Sequence, residues 1–153
     1  MEDKKQVNYR IPVYKVALVK ESNYAVDRKR ITQPEDAYQM LINYFDGIDR
    51  EQFVVMMTDT KNKVIGINTV SIGCLDRTII HPREVFKPAI LCNAAAIIIA
   101  HNHPSGNAEP SKDDIKTTEQ LVNAGKLLGI TVLDHMTIGE GEFTSLKQAG
   151  HIE

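Results

Sequence analysis

Apolar residues along this chain change their rhythm several times, and each change predicts an element. Residues 7–20, VNYRIPVYKVALVK, are rich in β-branched and aromatic side chains and partly alternate, which predicts a strand with an irregular start at Pro12. ITQPEDAYQMLINYFDGID then offers a helix start at Thr32, Gln33 and Pro34, apolar positions at Ala37, Met40, Leu41 and Tyr44, and a stop at Gly47. Residues 52–59 and 63–73 read as two strands joined by the tight turn DTKN, which predicts an antiparallel hairpin.

His81 and Pro82 open a second helix, PREVFKPAILCN, in which Pro88 is expected to bend or break the run. AAAIIIAH, residues 94–101, is almost continuously apolar, and its isoleucines point to a central strand covered on both faces. Ser111 precedes a third helix, with Ile115, Leu121, Val122 and Leu128 available for the core and Gly129 as its stop. ITVLDHMTIG predicts a further strand and TSLKQAG a last short helix. The expected order is β-α-β-β-α-β-α-β, an α/β fold with one mixed sheet flanked by helices.

The chain has 153 residues, enough for one domain with a sizeable core. We expect a β-rich extension over 1–29 and the core of that domain over 30–150. Hydrophobic residues make up 42% and charged residues 25%, which disfavours a disordered or fibrous class. No apolar stretch reaches the ~18 residues of a membrane span, and MEDKKQVNYR lacks the apolar core of a secretory signal, so the expected compartment is the cytoplasm. Cys74 and Cys92 stand in apolar surroundings without a C-x-x-C pair and are expected to be buried thiols. A formal charge of −2 and a pI near 6.2 are not the footprint of a protein whose main task is gripping phosphates. Nucleic acid is therefore a disfavoured partner.

The candidate chemistry sits at the end of the most apolar segment, in IIIAHNHPSGNAEPSKDDI. His101 and His103 are one residue apart, so in extended backbone their side chains project to the same side, and Pro104 disfavours helical geometry at His103. Asp114 falls at the third position of the third helix if Ser111 is its N-cap. A loop that folds back there brings two imidazole nitrogens and one carboxylate oxygen together, a donor set suited to Zn²⁺ with a fourth position open. Ser111 and Asp114 have an equally good account as a capping pair, and both accounts can hold together.

HNHPSGNAEPSKDD resembles the H-x-H-x7-S-x-x-D metal signature of JAB/MPN (JAMM) metalloproteases, and with LLGITVLDHMTIG it is most similar to the RadC branch of that family. The resemblance spans about residues 30 to 150. It implies the JAB/MPN, cytidine-deaminase-like architecture, with His101, His103 and Asp114 as zinc ligands and Ser111 steadying a developing oxyanion. It also implies an upstream glutamate as general acid/base at the join of the first helix and the following strand, where Glu51 stands. Glu84 is the rival, although its place in a first helical turn is explained by the helix dipole. His81 reads as a neighbour of an N-cap rather than a fourth ligand. The Asp134–His135 pair, which also resembles the family pattern, has two readings, a buttress to the site or metal ligands, of which the buttress is at least as good.

The activity so implied is zinc-dependent hydrolysis of an amide, peptide or isopeptide bond in a peptide or protein substrate. The alternative is a DNA-repair-associated role, on or with nucleic acid. Longer RadC proteins carry an N-terminal helix-hairpin-helix segment where this chain has a short β-rich stretch, so DNA association resting on that segment is not implied. The insertions with which ubiquitin-cleaving relatives grip their substrate are not apparent either. A third possibility keeps the fold as a non-catalytic interaction module, but such domains typically lack the ligands present here.

Overall fold

A computed structural model describes residues 9–73 and 80–153. The described elements run α1 (Pro34–Leu41), β1 (Gln52–Thr58), β2 (Val64–Ile72), α2 (Pro82–Leu91), β3 (Ala96–Asn102), α3 (Lys112–Leu128), β4 (Thr131–Ile138) and β5 (Phe143–Ser145). The strands form one mixed sheet in the order β2-β1-β3-β4-β5. Among the described strands only the β3–β4 pair is parallel, and α3 makes the crossover such a pair requires.

β3 lies at the centre and is buried at every position, as its unbroken apolar run predicts. Alternation along the strands sends Phe53, Val55, Ile97 and Ile99 to one face, against Phe86 of α2 and Leu121 of α3. Val54, Met56, Ile98 and Ala100 face the other way, against Ala37 and Leu41 of α1. The strands therefore end between two helical layers. α3 approaches β4 closely at Gly125, where an added Cβ would lie 2.4 Å from the carbonyl oxygen of Ile130.

Several expectations are corrected. Residues 9–20 form no strand, and Tyr9, Ile11, Val13 and Tyr14 are exposed, because β-propensity needs a partner strand and none of the described strands pairs with them. The TSLKQAG segment is not a helix: Phe143–Ser145 pair with the edge of β4, and turns follow. The described order is thus α-β-β-α-β-α-β-β. Helix α1 ends at Leu41, leaving Tyr44 in the turn that closes at Gly47, which has a φ of 71°. Pro88 does not break α2; it is buried in a short helix that forfeits one backbone hydrogen bond there and keeps its packing. Leu128 is half exposed and does not join the core. Cys92 is half-buried and its thiol is pushed up by that burial, whereas Cys74 lies outside the described residues.

Candidate metal centre

The cluster is built where β3 runs out. His101, on the face of the sheet that carries Phe53, is fully buried, with its ring stacked on that of Phe53 at a centroid distance of 5.9 Å. His103 lies just past the strand, and its backbone N–H donates to the carbonyl of Ile138 at 2.8 Å. The chain then turns at Gly106, whose N–H donates to the carbonyl of His103. Glu142 holds the returning loop by accepting from the N–H of Ala108. Gly139 lets the loop seat there, since a Cβ on it would lie 2.3 Å from the carbonyl oxygen of Gly106.

The loop delivers Ser111 as the N-cap of α3. Its Oγ accepts from the N–H of Asp114 at 3.1 Å, while Asp114 Oδ2 accepts from the N–H of Ser111 at 2.7 Å. This capping box aims the carboxylate. Asp114 Oδ1 lies 3.3 Å from His101 Nε2 and Oδ2 lies 3.4 Å from His103 Nε2, with 3.0 Å between the two imidazole nitrogens. One ligand atom from each residue therefore converges in a group that could hold a metal ion. Zinc bonds of ~2.0–2.1 Å at tetrahedral angles separate ligand atoms by ~3.3 Å, so the spacing and the donor set both fit that ion.

The second nitrogen of each imidazole is engaged. His103 Nδ1 donates to the carbonyl of Asn107 at 2.8 Å, which leaves Nε2 for the cluster. His101 Nδ1 lies 2.8 Å from Nε2 of the buried His135, whose Nδ1 lies 2.6 Å from Thr118 Oγ1. Burial, then the charge of His101, depresses the pKa of His135 well below the ordinary histidine value. The hydrogen bond to Asp114 raises His103 against the opposing effect of burial, and Glu51 contributes to that rise. Burial alone would raise Asp114, but its contacts with the imidazoles of His101 and His103 outweigh that and hold the carboxyl well below the usual range.

Glu51 immediately precedes β1, whose Phe53 pairs with His101 of β3, and its charge contributes to the raised pKa of His103. Its carbonyl accepts from the N–H of Gly73 at 2.8 Å. Glu84 is exposed on α2 and paired with Lys87 at 2.9 Å, which, with the nearby charge of Arg83, lowers its pKa. His81 is itself the N-cap of α2 and lies outside the cluster. Of the Asp134–His135 pair, only His135 touches the cluster. Asp134 accepts from the N–H of His135, from Ser145 Oγ and from the N–H of Lys147, and so ties β4 to β5.

Two residues that sequence reasoning passed over belong to the surroundings of the site. Asn102, between the histidines, points away from them and binds the backbone of Arg50 and Gln52. A polar side chain at the end of so apolar a strand was the signal for it. Thr118 carried no comparable signal, since a threonine inside a helix reads as surface.

An α/β domain whose central strand ends in a cluster of two histidines and an aspartate, with a glutamate nearby, matches a known class. The profile of the RadC-like JAB domain fits residues 31–151, and the chain belongs to that family. It is 49% identical over 123 residues to a UPF0758 protein of Caldanaerobacter subterraneus subsp. tengcongensis, covering 80% of this chain and 53% of that protein. A UPF0758 protein of Moorella thermoacetica is 50% identical over 125 residues, covering 82% and 55% of the two chains. One from Methanosarcina mazei is 42% identical over 141 residues, covering 92% and 62%. The chain thus spans between about half and three-fifths of the length of these relatives, whose names carry no activity. No helix among the described residues is long and apolar enough to cross a membrane.

Proposed function

We propose that this domain is a zinc-dependent hydrolase that cleaves an amide, peptide or isopeptide bond. The observation that carries the reading is the convergence of His101, His103 and Asp114 on one point at ligand-to-ligand spacing, at a sheet end that also receives Glu51. His103 and Asp114 are partly exposed, so the cluster opens at the surface, where a polypeptide can reach it. Cavities of about 510 and 430 Å³ lie elsewhere, and neither is lined by the cluster.

In this reading His101, His103 and Asp114 hold the ion through Nε2, Nε2 and a carboxylate oxygen. When bound, zinc supplies Lewis acidity at the position the three residues leave open. Glu51 takes a proton from the attacking water and delivers it to the departing amine, whereas the carboxylate of Glu84 is occupied by Lys87. Ser111 Oγ accepts from Asp114 N–H, so its own hydroxyl hydrogen remains available to the carbonyl oxygen as charge develops there.

The test is elemental analysis of the purified protein beside His103→Ala, followed by a screen of peptide and isopeptide libraries with chelator and with zinc restored. About one zinc per chain, lost in His103→Ala, and cleavage that chelator abolishes are the expected results. Glu51→Gln should keep its zinc and lose turnover by ~10²–10⁴-fold. Full activity in Glu51→Gln would overturn the assignment of the base, and a zinc-loaded protein that cleaves no member of the libraries would overturn the hydrolase.

A further inference from the structure

We propose that Thr118 and His135 are positioning residues that fix His101 in the tautomer presenting the Nε2 lone pair to a cation. The inference goes beyond the hydrolase reading, because it concerns how the centre is prepared to accept an ion, whatever reaction follows.

The argument is an accounting of hydrogens along one buried chain. Thr118 Oγ1 lies 2.7 Å from the carbonyl of Asp114, one helical turn earlier, and 2.6 Å from His135 Nδ1. A hydroxyl has one hydrogen. A helical threonine ordinarily gives it to the carbonyl four residues back, an acceptor that can do nothing else with the contact. The hydroxyl must then accept from His135, which places a hydrogen on His135 Nδ1. In a neutral imidazole this leaves His135 Nε2 as the acceptor, so His101 Nδ1, 2.8 Å away, must donate. His101 Nε2 is left with its lone pair toward Asp114 and His103.

Reversing the chain would be costly. Were Thr118 to donate to His135, each imidazole would flip its hydrogen to Nε2, and His101 would aim an N–H where a ligand atom is needed. His101, His135 and Thr118 are fully buried, so no solvent can substitute for a missing partner. The path also starts and finishes at one residue: the carbonyl of Asp114 orients Thr118, and its carboxylate meets the nitrogen that the chain prepares. Such outer contacts to a ligating histidine typically affect metal affinity by ~10–100-fold.

The test uses the whole chain and two readouts independent of turnover. In ¹⁵N-labelled, zinc-loaded protein, proton–nitrogen correlation spectra should show His101 and His135 both protonated at Nδ1 and bare at Nε2. A hydrogen on Nε2 of either ring would overturn the proposal. Zinc affinity measured by chelator competition should fall by ~10-fold or more in Thr118→Val, which keeps the shape and removes the hydroxyl, and should return in Thr118→Ser. Affinity in folded Thr118→Val equal to that of the parent, or loss in Thr118→Ser as severe as in Thr118→Val, would also overturn it. Should Thr118→Val fail to fold, the spectra of the parent decide alone. Zinc bound with the expected tautomers and no cleavage would sink only the hydrolase, whereas cleavage with His101 protonated at Nε2 would sink only this proposal.

Discussion

Asn102 grips the backbone on both sides of Glu51: its Oδ1 accepts from the N–H of Gln52 at 2.7 Å, and its Nδ2 donates to the carbonyl of Arg50 at 3.0 Å. With Gly73 bonded to Glu51 itself from the β2 side, the glutamate is fixed relative to the strand that carries the histidines. Asn102→Ala should therefore retain zinc while turnover falls, by ~10-fold or more, since a misplaced base loses most of its advantage. Zinc content beside kcat on one substrate checks this, and parallel loss of zinc and activity would show that Asn102 supports the ligands instead.

Zinc loading should depend on pH in a definite direction. His103 has a pKa raised above the ordinary 6.5, by its hydrogen bond to Asp114 against the opposing effect of burial, and the ion must displace that proton. Well above the raised pKa there is nothing to displace. As pH falls through it, apparent affinity should drop by about tenfold per pH unit for each proton displaced. Chelator competition across pH 6 to 9, buffered at ~0.15 M salt, measures the slope.

Gly139 tests whether the loop itself places the ligands. A Cβ there would press on the carbonyl of Gly106 at 2.3 Å and on the N–H nitrogen of Ala108 at 2.8 Å, both backbone atoms with little room to move. Gly139→Ala should destabilise the fold by about 1–3 kcal/mol and weaken zinc binding together. Unfolding curves with and without zinc separate the two effects, and the gap between them should narrow in the variant.

Away from the site, Asp36 gives a prediction about acid stability. Its carboxyl is held below the ordinary 3.8 by the Thr32 hydroxyl first, then by the Thr32 N–H and, against burial, by Arg28. A depressed carboxylate contributes stability that is complete above its unfolded value and is lost as pH falls through the folded one. The acid limb of the stability curve below about pH 4 should be shallower in Asp36→Asn, as urea midpoints at pH 2.5 to 5 would reveal.

How legible the molecule was depended on the range of the interaction. α3 could be read at both ends, because a Ser111-x-x-Asp114 box and a Gly129 in the left-handed region at φ 70° are local devices. The burial of β3 on both faces followed from its composition alone. Residues 9–20 and TSLKQAG misled, because a strand exists only with a partner, and partnership is not written in the segment. β5 is a strand because the edge of β4 is there to receive it.

The chain's own order of residues determined the donor set, its placement at the end of an apolar strand and the cap that would aim Asp114, since each is settled within a few neighbouring positions. The sequence offered the Asp134–His135 pair as a buttress, but only the folded molecule decided that His135, 34 residues from His101, would meet its Nδ1 while Asp134 turned to Ser145, and that Asn102 would clasp residues 50 and 52 positions away. Periodicity and capping are local properties of a chain. Strand order and the crossover through α3 are settled by burying the whole core at once, and no short stretch carries that information.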